Sequence, residues 1–203
     1  MSATRTDDPP RPGLRERKKA KTRALIQQHA MRLFREQGYD ETTIDEIAEA
    51  AEVSTTTVFR YFPTKPDLVI YDDLDERVIS AGRAQPAELN VVQAMRNAVR
   101  SVFGELTGDE MATHSERDQL MWREPELRAA MLAELVRTLR EVVELVAERT
   151  GRPADDERVL ATAGAGIGVS LAAWFACEGD TSLARYPDLF DAAMAHLESG
   201  LPL

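Results

Sequence analysis

Apolar residues recur at three- and four-residue spacing along nearly the whole chain, and no hairpin dipeptide such as Asn-Gly interrupts them. That periodicity leaves helices packing on helices as the available architecture, so the sequence predicts an all-α protein. A first helix is expected over 14–37, with Leu25, Ile26, Ala30, Leu33 and Phe34 on its inward stripe and Gly38 ending it in the left-handed conformation. Thr42 or Thr43 is placed to cap a short helix carrying Ile44, Ile47, Ala48 and Ala51. Ser54 is placed to cap another, TTTVFRYF, which must stop near Pro63 because a residue before proline avoids the helical region. One connector helix is then expected from about Pro66 to Gln85, followed by helices near 90–106, 110–122, 125–149, 156–178 and 187–199. The resulting division is a disordered N-terminal arm (1–13), a three-helix module (14–65) and a helical body (66–203).

Charge separates module from body. The chain of 203 residues carries 25 Lys plus Arg against 35 Asp plus Glu, a net charge of -10 that argues against nucleic acid when taken as an average. Residues 1–65, however, hold 12 basic and 10 acidic side chains, and the remainder holds 13 and 25. Within 11–23 stand seven bases, among them Lys18 and Lys19, and one acid, Glu16. This is the pattern of a small module that meets an anion, joined to an acidic body. With 43% hydrophobic residues the chain as a whole is not disordered.

The lone Cys177 cannot form an intramolecular disulfide, which together with an N-terminus lacking an apolar segment reads as a reduced, cytoplasmic protein. His29, His114 and His196 have no ligand spacing, so neither a metal nor another cofactor is expected. The 19 residues from Val159 to Cys177 are free of charge and long enough to span a bilayer. Their Ala, Gly, Thr and Ser content fits a helix buried between helices, and no membrane partner is expected. Catalytic signatures are missing: Gly168-Val169-Ser170-Leu171-Ala172 lacks the second glycine of a nucleophile elbow, no phosphate loop occurs, and Cys177 has no His beside it in sequence. An enzyme is therefore not expected.

Two short helices behind a longer one form a helix-turn-helix, whose second short helix can enter the major groove. The stretch TRALIQQHAMRLFREQGYDETTIDEIAEAAEVSTTTVFRYFPTKPDLV resembles the DNA-binding domain of the tetracycline-repressor (TetR) family, through Ala30, Leu33, Phe34, Gly38, Thr42-Thr43, Ile47-Ala48, Val53-Ser54, Thr57, Tyr61-Phe62, Lys65 and Leu68. The resemblance implies that Thr43 meets a phosphate, that Tyr61 and Lys65 hold the DNA backbone, and that the helix opened by Thr55, Thr56 and Thr57 reads the groove. Arg60, the one long cation on that helix, is the first choice for a guanine or phosphate contact. Lys18 and Lys19 are expected to follow a phosphate strand. Two positions depart from the family: Phe59 replaces a common Tyr and leaves a ring that can only pack, and Asp45 stands where some members place a base-contacting Arg, so it must accept from cytosine or point away.

One basic helix reads too few bases for operator specificity, so a homodimer on a palindromic double-stranded operator is expected. In AGAGIGVSLAAWFAC the glycines permit close approach of a facing helix, and Gly164, Gly168, Leu171, Phe190, Met194 and Leu197 are the expected interface, since the resemblance implies a four-helix bundle of the last two helices of each subunit. The body should enclose a small-molecule effector lined by Phe103, Met121, Trp122, Met131, Leu135, Trp174 and Phe175, with His114 or Arg123 as polar anchor. HSERDQLMWREPELRAAM and YPDLFDAAMAHLESGL resemble the mycofactocin-regulator type, which implies an acyl-CoA-like ligand. The expectation is a repressor released by an apolar or amphipathic effector. An activator, or a ligand-independent DNA-binding protein of the same fold, stays open.

Overall fold

The computed structural model describes residues 13–71, 73–177 and 183–201; the expected disordered arm lies outside them except for Gly13. Among the described residues every regular element is helical, and the chain divides into two compact units, Met1–Leu68 and Val69–Leu203.

The first unit holds α1 (Leu14–Gln37), α2 (Ile44–Ala50) and α3 (Thr55–Tyr61), and α4 (Asp67–Ile70) begins at its end. Ile26, Ala30, Met31 and Phe34 are the buried stripe of α1, while Leu25 is 40% exposed. Leu25 lies one residue outside the stripe that Ile26, Ala30 and Phe34 set at four-residue spacing. Gly38 ends α1 at φ 94 and ψ 156, not in the expected left-handed helical region but in one that is essentially glycine-only. Its N–H donates to the Phe34 carbonyl, and its own carbonyl accepts from the buried Thr42 hydroxyl at 2.7 Å. Thr43, not Thr42, caps α2, in a reciprocal capping box with Glu46. The turn into α3 passes through Glu52 at φ 53, a left-handed residue without glycine's freedom. Ser54 accepts from the Thr57 N–H at 3.1 Å to start α3, which buries Val58 and, at its cap, Phe62.

The second unit contains α5 (Leu74–Ala84), α6 (Val91–Glu105), α7 (Gly108–Arg123), α8 (Pro125–Thr150), α9 (Glu157–Phe175), a 3-10 turn (Leu183–Arg185) and α10 (Tyr186–Glu198). Asn90 and Thr107 each form a capping box, with Gln93 and Glu110, and Gly151 closes α8 in the left-handed conformation. The single connector helix expected from Pro66 to Gln85 is instead two, α4 and α5. The break is stabilised from a distance: the buried Arg117 guanidinium donates to the carbonyls of Val69, Ile70 and Tyr71, which a continuous helix would have used internally. At the other end of α5, Arg149 donates to the carbonyls of Gly82, Gln85, Pro86 and Leu89. Gly82 lies where a Cβ would come within 2.9 Å of Leu145, so α5 and α8 approach more closely there than a larger residue allows.

Met95, Val99, Val146, Val159, Ala163, Ala173, Phe190 and Met194 form the core of this unit. An ion cluster ties α6 to α10: Arg96 grips Asp191 through two hydrogen bonds, at 2.8 and 3.1 Å, and also reaches Glu198, while Arg100 adds a second contact to Asp191. α9 is the one helix among the described residues that is long and apolar enough to cross a membrane, with a mean hydropathy of 1.3. Here one of its faces packs into the core through Val159, Ala163 and Ala173.

Candidate nucleic-acid interface and effector cavity

Helix α3 is exposed on the face carrying Thr56, Phe59 and Arg60, residues spaced three and four apart. The other hydroxyls of its first turn are engaged locally. Thr55 donates to Asp45 at 2.9 Å, and Thr57 shares a 2.9 Å hydrogen bond with Ser54. Asp45 is thereby turned onto the start of α3, where its carboxylate accepts from the first residue of that helix. Phe59 is 47% exposed, which corrects the expectation that its ring only packs: Val58 and Phe62 take the inward positions. The Arg60 guanidinium lies over the Tyr61 ring, 5.3 Å from its centre, a cation–π contact.

Thr43 has its hydroxyl committed to the capping box, in which it donates to Glu46 at 2.8 Å and accepts from the Glu46 N–H at 3.2 Å. The backbone N–H and hydroxyl of Thr43 hold the Glu46 carboxyl below the usual carboxylate range. Lys65 donates to the Asp40 carbonyl at 3.2 Å, with its ammonium 4.5 Å from the Tyr39 ring centre. That contact positions the lysine at the N-terminal side of α4. Lys18 and Lys19 stand exposed on the first turns of α1, where none of the residues from Arg17 to Leu25 is buried.

The second unit holds a partly open cavity of about 230 Å³, bordered by Ile70 at the end of α4 and by residues of α5 to α10. Phe103, His114, Met121, Met131, Leu135 and Trp174 border it. Trp122, Arg123 and Phe175 do not: Trp122 stacks on Trp174 with centroids 3.9 Å apart, Phe175 is 50% exposed, and Arg123 is exposed at the end of α7. The polar part of the lining is richer than the sequence suggested, adding Asp75, Arg117, Asp118, Glu134, Ser170 and Tyr186. A signal for some of these existed, since Glu134 and Thr138 on α8, and Ser170 and Trp174 on α9, repeat at four-residue spacing. Tyr186 shares a 2.7 Å hydrogen bond with Ser170, and burial, followed by the fields of Asp75 and Asp118, pushes its phenol well above the ordinary tyrosine range. It is therefore protonated at neutral pH. Among the described residues no group of three or more His, Cys, Asp or Glu is placed to hold a metal.

The expected dimer residues separate into two sets. Gly164 and Gly168 are on an open face of α9, with nothing within 4 Å of where a Cβ would stand. Phe190 and Met194 belong to the unit's own core, Leu197 packs half-buried against it, and Leu171 borders the cavity. Phe190, Met194 and Leu197 are turned inward because α10 packs against α6 and α9, and Leu171 is turned inward by its place on the inner side of α9. Gly166, between the two open glycines, faces inward, with a Cβ position 3.3 Å from the Met95 sulfur.

A helix-turn-helix with an exposed reading face, joined in one chain to a helical body that holds a cavity, defines a class of DNA-binding regulators. Residues 26–71 match the family model described as bacterial regulatory proteins, tetR family, and residues 89–202 match that of the MftR C-terminal domain. The chain belongs to the TetR family, and it is a DNA-binding transcriptional regulator and not an enzyme. It is 32% identical over 217 residues to the HTH-type transcriptional regulator TcmR of Streptomyces glaucescens, with 99% of this chain and 96% of TcmR covered. It is 25% identical over 161 residues to MftR of Mycobacterium tuberculosis, with 78% and 80% covered. Among solved structures, FadR of Thermus thermophilus, a TetR-family transcriptional repressor in complex with lauroyl-CoA, superposes with a TM-score of 0.55 at 21% identity, covering 89% of this chain and 95% of FadR. SmeT, the repressor of the Stenotrophomonas maltophilia multidrug efflux pump SmeDEF, gives 0.55 at 16% identity, with 88% and 89% covered. These two likenesses concern the fold.

Proposed function

We propose that this regulator is a repressor that binds a palindromic operator as a homodimer and leaves it when a small apolar or amphipathic molecule fills the cavity of the second unit. The observation that carries the reading is the cavity itself: a partly open, largely apolar space of about 230 Å³, in a unit that contains none of the reading helix. A ligand-independent protein of the same fold has no use for it.

On the DNA side, Thr56, Phe59 and Arg60 face the groove, Arg60 bonding guanine or phosphate and Phe59 meeting apolar base edges such as thymine methyls. Thr43, Thr55 and Thr57 shape the helix ends, and their hydroxyls reach DNA only by exchanging their present partners. Tyr61, Lys65, Lys18 and Lys19 supply backbone contacts that fix register without reading sequence. Dimerisation uses the open face of α9, where Leu160, Gly164, Gly168 and Phe175 stand exposed. An acyl-CoA-like effector belongs to this reading as one candidate, supported by the matched C-terminal domain family and by the lauroyl-CoA held in FadR.

The effector acts through Ile70, Leu74, Asp75, Val78, Ile79 and Gly82, which border the cavity on the stretch of chain that follows the DNA-binding unit. A ligand that favours one arrangement of α5 and of the Arg117-capped break shifts the recognition helices away from the spacing one helical turn of DNA requires. The test is selection of bound fragments from genomic DNA by the purified full chain, followed by operator titration with and without effector. Binding that persists at saturating effector, or transcription that falls when the gene is deleted, would overturn the repressor reading.

A further inference from the structure

We propose that Asp45 is a specificity-determining residue of the DNA-binding unit: its carboxylate accepts a hydrogen bond from the exocyclic amino group of a cytosine in the major groove, and it weakens binding to half-sites that lack one. The inference rests on the proposed use of α3 as the reading helix and adds to it a residue from α2.

The first argument is placement. Asp45 is exposed on the first turn of α2 and crosses to the next helix, where it accepts from the Thr55 hydroxyl at 2.9 Å. An acid on a first helical turn commonly serves its own helix, by capping it or by facing the positive end of its dipole. On α2 the capping role is held by Glu46, whose carboxylate accepts from the backbone N–H and the hydroxyl of Thr43, both at 2.8 Å. Asp45 takes no part in that cap and is held at the start of α3. Thr55 precedes Phe59 by four residues, as Thr56 precedes Arg60, so the carboxylate stands on the Phe59 edge of the exposed face. Thr55 is a neutral partner bonded to one carboxylate oxygen, and among the described residues no ion pair reaches Asp45, so its charge is retained.

The second argument is chemistry. A negative charge on a surface that meets phosphates costs affinity for every sequence, and the loss is offset only where a base donates to it. In the major groove the donors are the amino groups of cytosine and adenine. Adenine sets its N7 acceptor beside the amino group, guanine offers two acceptors, and thymine offers an acceptor and a methyl group. A carboxylate, which only accepts, therefore selects cytosine. The Thr55 hydroxyl fixes the direction of the carboxylate before DNA arrives, which reduces the ordering cost of the contact. Arg60 supplies donors and Phe59 an apolar face, and Asp45 adds an anionic acceptor beside them.

The test is selection from a pool of random duplexes by the purified full chain and by Asp45→Asn, Asp45→Ala and Arg60→Ala, followed by titration of the enriched duplex and of an unselected random duplex. The wild type is expected to enrich a C·G pair at one position of each half-site. Changing that pair to T·A should weaken wild-type binding about tenfold and that of Asp45→Ala less than about twofold. Asp45→Asn keeps an oxygen for Thr55 and gains a donor, so at the same position it should enrich A·T, the pair an amide bonds through both N6 and N7, a gain that a misfolded variant cannot show. Both Asp45 variants should bind the unselected duplex about threefold more tightly, having lost a charge of the same sign as the phosphates. A base preference in Asp45→Ala identical to that of the wild type at every position overturns the inference, as does an affinity for the unselected duplex that neither variant changes. If Arg60→Ala alters the enriched sequence in that case, α3 remains the reading helix and only the role of Asp45 fails; if it too changes nothing, the placement of the reading face fails with it.

Discussion

The two units solve the problem of placing functional groups in opposite ways. In the first, the ends of the helices are fixed by partners a few residues away: Glu46 for Thr43, Thr57 for Ser54, Gly38 for Thr42. In the second, the elements around the cavity are fixed across long stretches of chain, with Arg117 gripping carbonyls 46 to 48 residues earlier and Arg149 doing the same 60 to 67 residues back. The contrast teaches where adaptability resides. A locally fixed reading helix keeps its shape whatever the body does, whereas a cavity held by distant arginines can change arrangement without unfolding a helix.

The sharpest way to break this comparison is Arg117→Met. It leaves the carbonyls at the end of α4 without their donor and should lower the stability of the second unit by about 3 kcal/mol. Hydrogen exchange would show lost protection in α5 to α8 with α2 and α3 unchanged; an equal loss in α3 would mean that the first unit is not fixed by its own contacts. Next in size is Gly38→Ala, which forces a side chain into φ 94, ψ 156 and should destabilise the first unit by about 2 kcal/mol, read from denaturant midpoints. Arg60→Ala should leave stability alone and weaken operator binding about tenfold, while Lys65→Ala should weaken all sequences alike and reduce the salt slope by about one. Thr43→Ala removes half of a capping box, for a loss of about 1 kcal/mol by thermal melting.

The smallest effect is one of pH and concerns the ion cluster between α6 and α10. Hydrogen bonds from Arg96 hold the Asp191 carboxyl below the usual carboxylate range, with its charge and Arg100 adding to the effect. A carboxyl group depressed in the folded state contributes its stability above the unfolded value of about 3.9 and loses it as pH falls through the folded value. Melting temperatures of the wild type should therefore drop more steeply below about pH 4 than those of Asp191→Asn, which has no such group to protonate. Parallel curves would show that the cluster contributes nothing through this titration.

The same contrast explains what could be read from the sequence. The caps at Thr43 and Ser54 follow from residues within one turn, so the two short helices were legible with their boundaries. The break between α4 and α5 was not, because nothing in Val69 to Asp73 announces a donor that lies on α7. The cavity was legible in part: Met and aromatic positions could be proposed from type alone, but Trp122 and Phe175 face away from it and the three carboxylates were missed, since helix rotation relative to neighbours decides which stripe points inward. Phe190 and Met194 failed for a related reason. An apolar stripe on a terminal helix serves a core or an interface equally well, and here it fills the unit's own core.

Both tryptophans of the chain, Trp122 and Trp174, lie in the second unit, stacked at 3.9 Å with rings 16° from parallel, and one of them borders the cavity. The tryptophan fluorescence of the whole protein is therefore the optical signal of a single place, and two indoles this close couple their transitions. Any molecule that slides against Trp174 or parts the pair will alter the emission excited at the red edge, where tyrosine does not absorb, without a dye being attached. The DNA-binding unit, which has Tyr39 and Tyr61 but no tryptophan, adds nothing to that signal. The molecule thus carries its own gauge of cavity occupancy, readable while an operator labelled at another wavelength reports on the DNA.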